Sequence, residues 1–318
     1  MNDNTLAVEE MEEQKWNGPA APVLKWAGGK SQLIPAISNH FPKRLLSGQV
    51  RKYVEPFVGG GAIFFHLANC NTFREAHLFD VNPELVIVYN SAKKAVNKLI
   101  LALRSLEAEY RDRDPEGRLD LFYQIREKYN QESKEIPLEI RHNSVLPERA
   151  ALTLFLNKTC FNGLFRVNKR GHFNVPHGRY KDPAILNQPR LLAASSALQR
   201  ATIRLADFSE CLQLADAETF IYYDPPYRPL SKTSHFNSYS RELFDDSQQR
   251  RLFEVFKQLD ERGVLQLLSN SDPTNYDDDP FFDDLYREFS IHRVPAKRMI
   301  NSNSSKRGEL RELLIKNY

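Results

Sequence analysis

Cysteine is scarce in this sequence: its 318 residues include 3 cysteines, Cys70, Cys160 and Cys211. Their odd number and wide spacing exclude a disulfide framework, and they form no metal-ligand pattern with histidine. We therefore expect reduced, structural thiols, no metal ion and a cytoplasmic location.

Long apolar runs are also missing. No window approaches the roughly 18 consecutive apolar residues of a membrane-spanning helix. The first residues, MNDNTLAVEEMEEQKW, are acidic and lack the apolar centre of a signal peptide. The sequence thus predicts no membrane partner, and we expect residues 1–20 to form a disordered acidic tail.

A complete phosphate-binding P-loop is absent as well, although Gly28-Gly29-Lys30-Ser31 matches the end of that motif. The motif begins with a further glycine, so that backbone N–H groups can wrap the phosphates. Leu24 occupies that position, and the residues before it do not resemble a strand. An ATPase is disfavoured, and Lys30 needs another explanation.

Strand and helix patterns alternate early in the chain. RKYVEPF (51–57) predicts a strand that leads through glycines into the helical AIFFHLA, and EAHLFD (75–80) predicts a second strand before a helical pattern from Pro83 to Arg104. This order favours an α/β fold with a parallel sheet and crossover helices. Further strands are predicted at 201–207, 218–224, 263–270, 289–294 and 312–317.

The region between these strands is different. Residues 105–156 are charged and helical in pattern, and LFRVNKRGHFNVP has two short strand-like runs around Asn168-Lys169-Arg170-Gly171, which favours a hairpin. We therefore expect three parts after the tail, at 21–100, 101–182 and 183–318, the middle one being a mainly helical insertion.

Two features at predicted strand ends favour a cofactor that contains a nucleoside. Consecutive glycines in VGGGA (58–62) would let a ligand approach the backbone closely. Asp80 ends the next strand, about twenty residues on, where an acid typically binds ribose hydroxyls. The loop lacks GxGxxG spacing, so a pyrophosphate is not indicated.

Asp224-Pro225-Pro226-Tyr227 follows the apolar run Phe220-Ile221-Tyr222-Tyr223. Two prolines cannot continue a central strand, so we expect a turn that presents an acid, backbone carbonyls and an aromatic ring. A planar base could stack on Tyr227 while its exocyclic amine donates hydrogen bonds to Asp224 and the Pro225 carbonyl. Such acceptors would draw the amine lone pair out of conjugation, as attack on a methyl sulfonium requires.

A basic segment lies at 158–181, KTCFNGLFRVNKRGHFNVPHGRYK, in which lysines and arginines alternate with aromatic residues and no acid occurs. This composition is typical of nucleic-acid-binding surfaces, although a solvated basic face is the simpler alternative.

Several motifs in one order resemble a known family: LKWAGGK, VEPFVGGGAIFF, FNGLFRVN, FNVPHGRYK, DPPYRPLS and RGELRELLIKNY. They are similar to the Dam family of DNA adenine-N6 methyltransferases, in the motif order of its α group and of the GATC-specific type. The resemblance implies a Rossmann-like S-adenosylmethionine-dependent methyltransferase sheet with an inserted, mainly helical DNA-recognition domain that carries a β-hairpin. It also implies a prokaryotic or phage-encoded enzyme that flips an adenine out of double-stranded DNA.

The resemblance assigns residues to the cofactor and to the chemical step. The implied catalytic residues are Asp224, Pro225, Pro226 and Tyr227. The implied S-adenosylmethionine-binding residues are Trp26, Lys30, Phe57, Gly59, Gly61, Asp80, Asp207, Phe208 and Asp224. Lys30 would lie near the methionine carboxylate and Asp207-Phe208 beside the adenine; Ala206 stands where the family usually has glycine.

The resemblance also assigns DNA contacts to Lys25, Phe161, Asn162, Leu164, Arg166, Pro176 and Tyr180. Arg166 and Lys25 match residues that contact guanines, and Leu164 and Pro176 match apolar positions that face thymine methyl groups. Phe161 matches an aromatic residue that fills the gap left by the flipped base. The match of the whole hairpin favours GATC as the target.

Other functions stay open on the sequence alone. Enzymes that methylate another planar amine or amide, such as RNA adenine or a glutamine side chain, more often carry asparagine at the position of Asp224 and lack this hairpin. A catalytically inactive DNA-binding relative is the other alternative, against which the intact Asp80, Asp224 and Tyr227 argue. Cytosine-C5 chemistry is disfavoured because no cysteine follows a proline.

Overall fold

A single sheet organises the protein in the computed structural model, which describes residues 18–135, 145–228, 244–275, 279–296 and 310–318. Within these residues the strands are β1 Lys52–Glu55, β2 Glu75–Asp80, β3 Ala201–Leu205, β4 Thr219–Tyr223, β5 Leu265–Ser271, β6 Ser290–Ala296 and β7 Leu310–Lys316. Their order is β3-β2-β1-β4-β5-β7-β6. The first five are parallel, whereas β7 runs antiparallel to both β5 and β6. The predicted Rossmann-like α/β fold is confirmed.

Helices cover the sheet and build the insertion. In chain order those described are α1 Ile34–Ser38, α2 Lys43–Leu46, α3 Ala62–Asn69, α4 Pro83–Lys94, α5 Val96–Arg111, α6 Pro115–Glu135, α7 Pro147–Thr159, α8 Gln188–Leu198, α9 Cys211–Leu214, α10 Asp246–Asp260 and α11 Phe281–Leu285. None of the described helices is long and apolar enough to cross a membrane.

Local chemistry explains how the central elements form. Every residue of β4, TFIYY, is buried, as expected of a parallel strand with helices on both faces. Helix α4 begins where the Asn82 side chain accepts a hydrogen bond from the Glu84 N–H and Pro83 takes the first helical position.

A buried ion pair ties the inserted helices to the sheet domain. The guanidinium of Arg149 on α7 donates to both carboxylate oxygens of Glu84 on α4, at 2.9 and 3.0 Å. It also lies 3.4 Å from the ring centroid of Tyr129 on α6. Three helices are thus fixed by one side chain that is 3% exposed.

One predicted helix differs from the structure, and two other predictions are not tested by it. The predicted helix from Pro83 to Arg104 is two helices, because the backbone leaves the helical region at Ala95 (φ −148°). No glycine or proline marks that break in the sequence. Most of the predicted tail at 1–20 lies outside the described residues, and the division at 101–182 and 183–318 stays a prediction.

Candidate active site

The predicted cofactor and catalytic motifs meet at one edge of the sheet. Strands β3, β2, β1 and β4 are parallel neighbours, so their carboxyl ends lie side by side. Asp207 follows β3, Asp80 ends β2, the glycine loop follows β1 and Asp224 follows β4. This edge is where open α/β sheets bind ligands.

The glycine loop is fixed by its neighbours. The Gly59 N–H donates to Asp80 Oδ2 at 3.0 Å, and the Gly59 carbonyl accepts a hydrogen bond from the Tyr89 hydroxyl at 2.7 Å. Gly59 has φ +46°, and a Cβ there would lie 2.8 Å from Trp26 Cδ1. Glycine is therefore required for both the backbone conformation and the close contact with the indole.

Asp80 carries a perturbed carboxyl group beside this loop. Burial raises its pKa to about 6, although N–H groups of Asn82 and Gly59 stabilise the charged form. An acid of this kind has oxygens that can accept hydrogen bonds from hydroxyl groups. The position at the end of β2 is the one predicted for ribose binding.

An aromatic surface continues the same edge toward β3. Phe57 stacks on Phe208 with ring centroids 5.5 Å apart, and Phe244 packs edge-on against Phe57 at 5.5 Å. Arg251 lies 4.4 Å from the Phe208 ring centroid and forms an ion pair with Asp207. The predicted Asp207-Phe208 pair thus adjoins Phe57, and Arg251, which the motifs did not indicate, holds its carboxylate.

Asp224 lies in a cluster of charged and phenolic groups. Lys30 Nζ donates to Asp224 Oδ1 at 2.6 Å, to the Tyr227 hydroxyl at 2.9 Å and to the Gly28 carbonyl at 3.2 Å. The Tyr227 hydroxyl in turn donates a short hydrogen bond to Glu312 Oε1. Ser269 Oγ donates to Asp224 Oδ1 at 3.2 Å.

Burial dominates the electrostatics of this cluster. The pKa of Asp224 is raised by desolvation, which the Lys30 charge opposes, and the charge of Glu312 raises it further. The pKa of Lys30 is raised despite its burial, because Asp224, Tyr227 and Glu312 surround the ammonium. Lys30 is 2% exposed, so it does not project into solvent as a phosphate-binding lysine would.

A basic surface adjoins this cluster through the segment Lys25-Trp26. The Trp26 ring stacks on Phe165 at a centroid distance of 5.2 Å. Asn157 on α7 accepts from the Lys25 N–H and donates to the Lys25 carbonyl, both at 2.9 Å. Trp26 therefore contacts the glycine loop on one side and the predicted hairpin on the other, while Lys25 is exposed.

The hairpin forms at the predicted position. Asn168 accepts from the N–H groups of Arg170 and His172 at 2.9 and 3.1 Å, and Gly171 has φ +77°. Val167 and Phe173 form an antiparallel bridge below the turn. The exposed Arg166 donates through Nε to Asn174 Oδ1 at 2.8 Å, which orients its guanidinium.

The remaining predicted DNA contacts flank this hairpin. Phe161 is 51% exposed, and Asn162 after it has φ +57°. The Asn162 N–H donates to the Tyr180 hydroxyl at 2.9 Å. Pro176 is exposed and Leu164 partly so. Phe161 and Pro176 are neighbours, since the Phe161 N–H donates to the Pro176 carbonyl at 2.8 Å and residues 160 and 177 form an antiparallel bridge.

Sequence motifs missed five residues that surround the site: Glu55, Asn157, Arg251, Ser269 and Glu312. Glu312 lies within the quoted RGELRELLIKNY motif, which was the available signal. Glu55 likewise lies within VEPFVGGGAIFF, and Asn157 directly precedes the basic segment 158–181, whereas Ser269 lies outside every quoted motif. No cluster of three or more potential metal ligands occurs among the residues described.

Comparison with known proteins agrees with this arrangement. The family model described as D12 class N6 adenine-specific DNA methyltransferase matches residues 26–300. The chain therefore belongs to the D12 class of N6 adenine-specific DNA methyltransferases.

Individual relatives extend this result over nearly the whole chain. The Type II methyltransferase M.MjaIII of Methanocaldococcus jannaschii is 44% identical over 93% of this chain and 99% of the relative. The DNA adenine methylase of Escherichia coli K12 is 34% identical over 92% of this chain and 93% of the relative. That of Vibrio cholerae is 35% identical over 92% and 94%. The protein is thus an adenine-N6 DNA methyltransferase, and its family implies S-adenosylmethionine as methyl donor.

Proposed function

We propose that this methyltransferase acts on double-stranded DNA at GATC, on an adenine flipped out of the helix, with Asp224 and Tyr227 holding the base. The observation that carries the proposal is the position of Asp224. Its Oδ1 is anchored by Lys30 and Ser269, and among the described residues no group donates to its Oδ2. That oxygen is therefore the acceptor offered to the adenine amine.

The site fits the implied cofactor. The glycine loop brings backbone close to the sheet edge without side chains, Asp80 supplies hydroxyl acceptors, and the Phe57–Phe208 stack supplies an apolar wall. When bound, S-adenosylmethionine supplies an electrophilic methyl group on a sulfonium. We infer that Asp80 holds the ribose and that Phe57, Asp207 and Phe208 hold the adenine moiety. For Lys30 to contact the methionine carboxylate, its ammonium has to give up one of its hydrogen bonds to Gly28, Asp224 or Tyr227.

Asp224 acts on the amine by orienting it. A hydrogen bond from N6 to Oδ2, with a second to the Pro225 carbonyl, localises the N6 lone pair for in-line attack on the methyl carbon. S-adenosylmethionine, when bound, would supply the methyl group and keep the C–S bond electrons, and the N6 proton would then pass to solvent. Asp224 needs no high basicity because the alkylated amine is acidic.

The hairpin is the proposed element of sequence recognition. Asn174 accepts hydrogen bonds from Nε and Nη2 of Arg166, and the guanidinium has further N–H groups that can donate to a base. A bidentate pairing with guanine contributes about 1–3 kcal/mol of discrimination. Lys25, Leu164 and Pro176 would contact the remaining bases of the site, and Tyr180 would hold the backbone that carries Asn162.

Base flipping is supported by the exposed Phe161. Extruding a paired base costs a few kcal/mol, on the order of the stacking and pairing energy lost. An aromatic side chain that enters the gap restores part of that stacking. Phe161 is large, apolar and half exposed, as this role requires.

Methyl transfer from labelled S-adenosylmethionine tests the specificity. We expect incorporation into duplexes that contain GATC and little into duplexes in which the site is scrambled, with single strands poor substrates. Equal labelling of the scrambled duplex would refute GATC specificity. A 2-aminopurine at the target position is expected to gain fluorescence on binding, and constant fluorescence would argue against flipping.

Two substitutions test the residue assignments. Asp224→Ala should abolish transfer while duplex binding persists. Arg166→Ala should reduce the preference for guanine in the site by about 5–160-fold, with Lys169→Ala as a control that removes exposed charge from the hairpin turn. Robust transfer by the Asp224 variant would overturn the catalytic role of Asp224.

The disfavoured ATPase alternative has its own test. ATP hydrolysis that depends on Lys30 would restore that alternative.

A further inference from the structure

A second buried carboxylate, Glu312, lies beside Asp224. It belongs to β7, where its backbone pairs with Ser271 of β5 and Val294 of β6 in the antiparallel part of the sheet. Its side chain is 7% exposed. An acid is rarely buried at such a position unless its charge is compensated.

The two oxygens of Glu312 have different surroundings. Oε1 accepts the hydrogen bond of the Tyr227 hydroxyl. Oε2 is buried and has no hydrogen-bond partner in the described part of the chain; Lys30 Nζ lies 3.7 Å away. An ammonium has three protons, and those of Lys30 go to Gly28, Asp224 and Tyr227, so Oε2 receives none.

We propose that Glu312 is a positioning residue for methyl transfer: it holds the Tyr227 ring for the base and gives the cluster of Lys30, Asp224 and Glu312 a net negative charge. This inference rests on the proposed role of Asp224. One ammonium faces two carboxylates, so the cluster carries one excess negative charge when both acids are ionised.

That excess charge has a use in the transition state. As the N6–methyl bond forms and the C–S bond breaks, positive charge moves from sulfur onto N6. A neutral lysine–aspartate pair would interact weakly with this charge, whereas a cluster with one excess negative charge stabilises it. Fixed charges in a water-poor site act strongly because they need no reorganisation during the reaction.

Glu312→Gln is the central variant, since the amide keeps an acceptor for the Tyr227 hydroxyl and removes only the charge. We expect its single-turnover methyl transfer to GATC duplex to fall at least about tenfold. Duplex affinity and 2-aminopurine fluorescence should stay at wild-type values. Glu254→Gln, the same change at an exposed position on α10, is the matched control and should keep the full rate.

The pH dependence of the single-turnover rate distinguishes an electrostatic role of Glu312 from a purely structural one. The titratable groups that face Asp224 are Lys30, Tyr53, Glu55, Tyr222, Tyr227 and Glu312, and the charge of Glu312 raises the pKa of Asp224. Removing that charge lowers the pKa, so the acid limb of the single-turnover rate should shift to lower pH in Glu312→Gln. Tyr227→Phe removes the hydrogen bond but leaves the charge, so it should lower the rate without that shift.

The outcomes distinguish this inference from the proposed function. Wild-type rate and pH profile in Glu312→Gln, with Asp224→Ala inactive, would overturn the role of Glu312 and leave that of Asp224. An active Asp224→Ala, which has no acceptor for the adenine amine, would overturn the proposed function itself. If Glu312→Gln does not fold, Glu312→Asp is the variant to measure, because it keeps the charge. We expect its acid limb to stay unshifted and its single-turnover rate to fall by at most about tenfold. A Glu312→Asp variant as inactive as Asp224→Ala would refute the proposal.

Discussion

At the scale of single residues, Lys30 connects the amino-terminal motif to the carboxylate after β4. Its ammonium is buried, and its ion pair with Asp224 joins residues 194 positions apart in the chain. A buried ion pair contributes little over an apolar pair, but removing one partner leaves an uncompensated charge. Lys30 therefore stabilises both the fold and the ionised form of Asp224.

Lys30→Met should show both effects. We expect the free energy of unfolding near neutral pH to fall by about 3 kcal/mol, because a buried carboxylate loses its partner. The charge of Lys30 lowers the pKa of Asp224, so without it the acid limb of methyl transfer should shift to higher pH, opposite to Glu312→Gln.

Urea unfolding and single-turnover rates across pH measure these changes. Lys257→Met is a suitable control, since Lys257 is exposed on α10. An acid limb unchanged from wild type would show that Lys30 does not set the ionisation of Asp224.

At the scale of elements, the hairpin depends on a contact with α6. Asn130 donates to the Phe173 carbonyl at 3.1 Å and accepts from the Phe173 N–H at 2.8 Å. Asn130 is 7% exposed, so these bonds satisfy buried backbone groups. The orientation of Arg166 relative to the sheet edge therefore depends on the inserted helices.

Asn130→Ala should loosen the hairpin. Leaving the Phe173 backbone groups unpaired costs about 1–3 kcal/mol each, so we expect weaker binding of GATC duplex and less discrimination against scrambled duplex. Binding of S-adenosylmethionine, measured by calorimetry, should be unchanged because its proposed site lies at the sheet edge. Gln131→Ala, one residue along and exposed, is the control; equal duplex affinity in both variants would contradict the proposed anchoring.

At the scale of the whole molecule, buried acids at the sheet edge make stability depend on pH. Burial raises the pKa of Glu55 to about 8, opposed by the hydrogen bond from Tyr53. The native state then binds a proton that the unfolded chain releases above about pH 4.3. Stability contributed by this group is present below that pH and is lost as pH rises toward 8.

Glu55→Gln should remove this dependence. Its amide oxygen can still accept from the Tyr53 hydroxyl and the Phe64 N–H, which now bind Glu55 Oε2 at 2.7 and 3.1 Å. Relative to wild type, the variant should gain up to roughly 1.4 kcal/mol per pH unit until the native pKa of about 8 is reached. Denaturant unfolding at several pH values measures the difference, and a constant difference would show that Glu55 ionises normally.

The strands and the hairpin turn can be predicted from local residue patterns. The strands fall where alternation and apolar runs predict them, because β4 and its neighbours must bury both faces. The turn at Asn168 and Gly171 follows from residues that favour such backbone conformations. The break at Ala95 does not, since no helix-breaking residue marks it in the sequence.

The sequence by itself determined the fold class, the methyltransferase family and the motifs that supply Asp80, Asp224, Tyr227 and the hairpin. These depend on residue type and short-range order, which a chain carries in one dimension. Only the tertiary structure decided that Lys30 contacts Asp224, and that Glu312 supplies a second carboxylate to the same ammonium. Those contacts join β7 and the amino-terminal motif to β4 across the sheet, and no local pattern records a distance between segments so far apart.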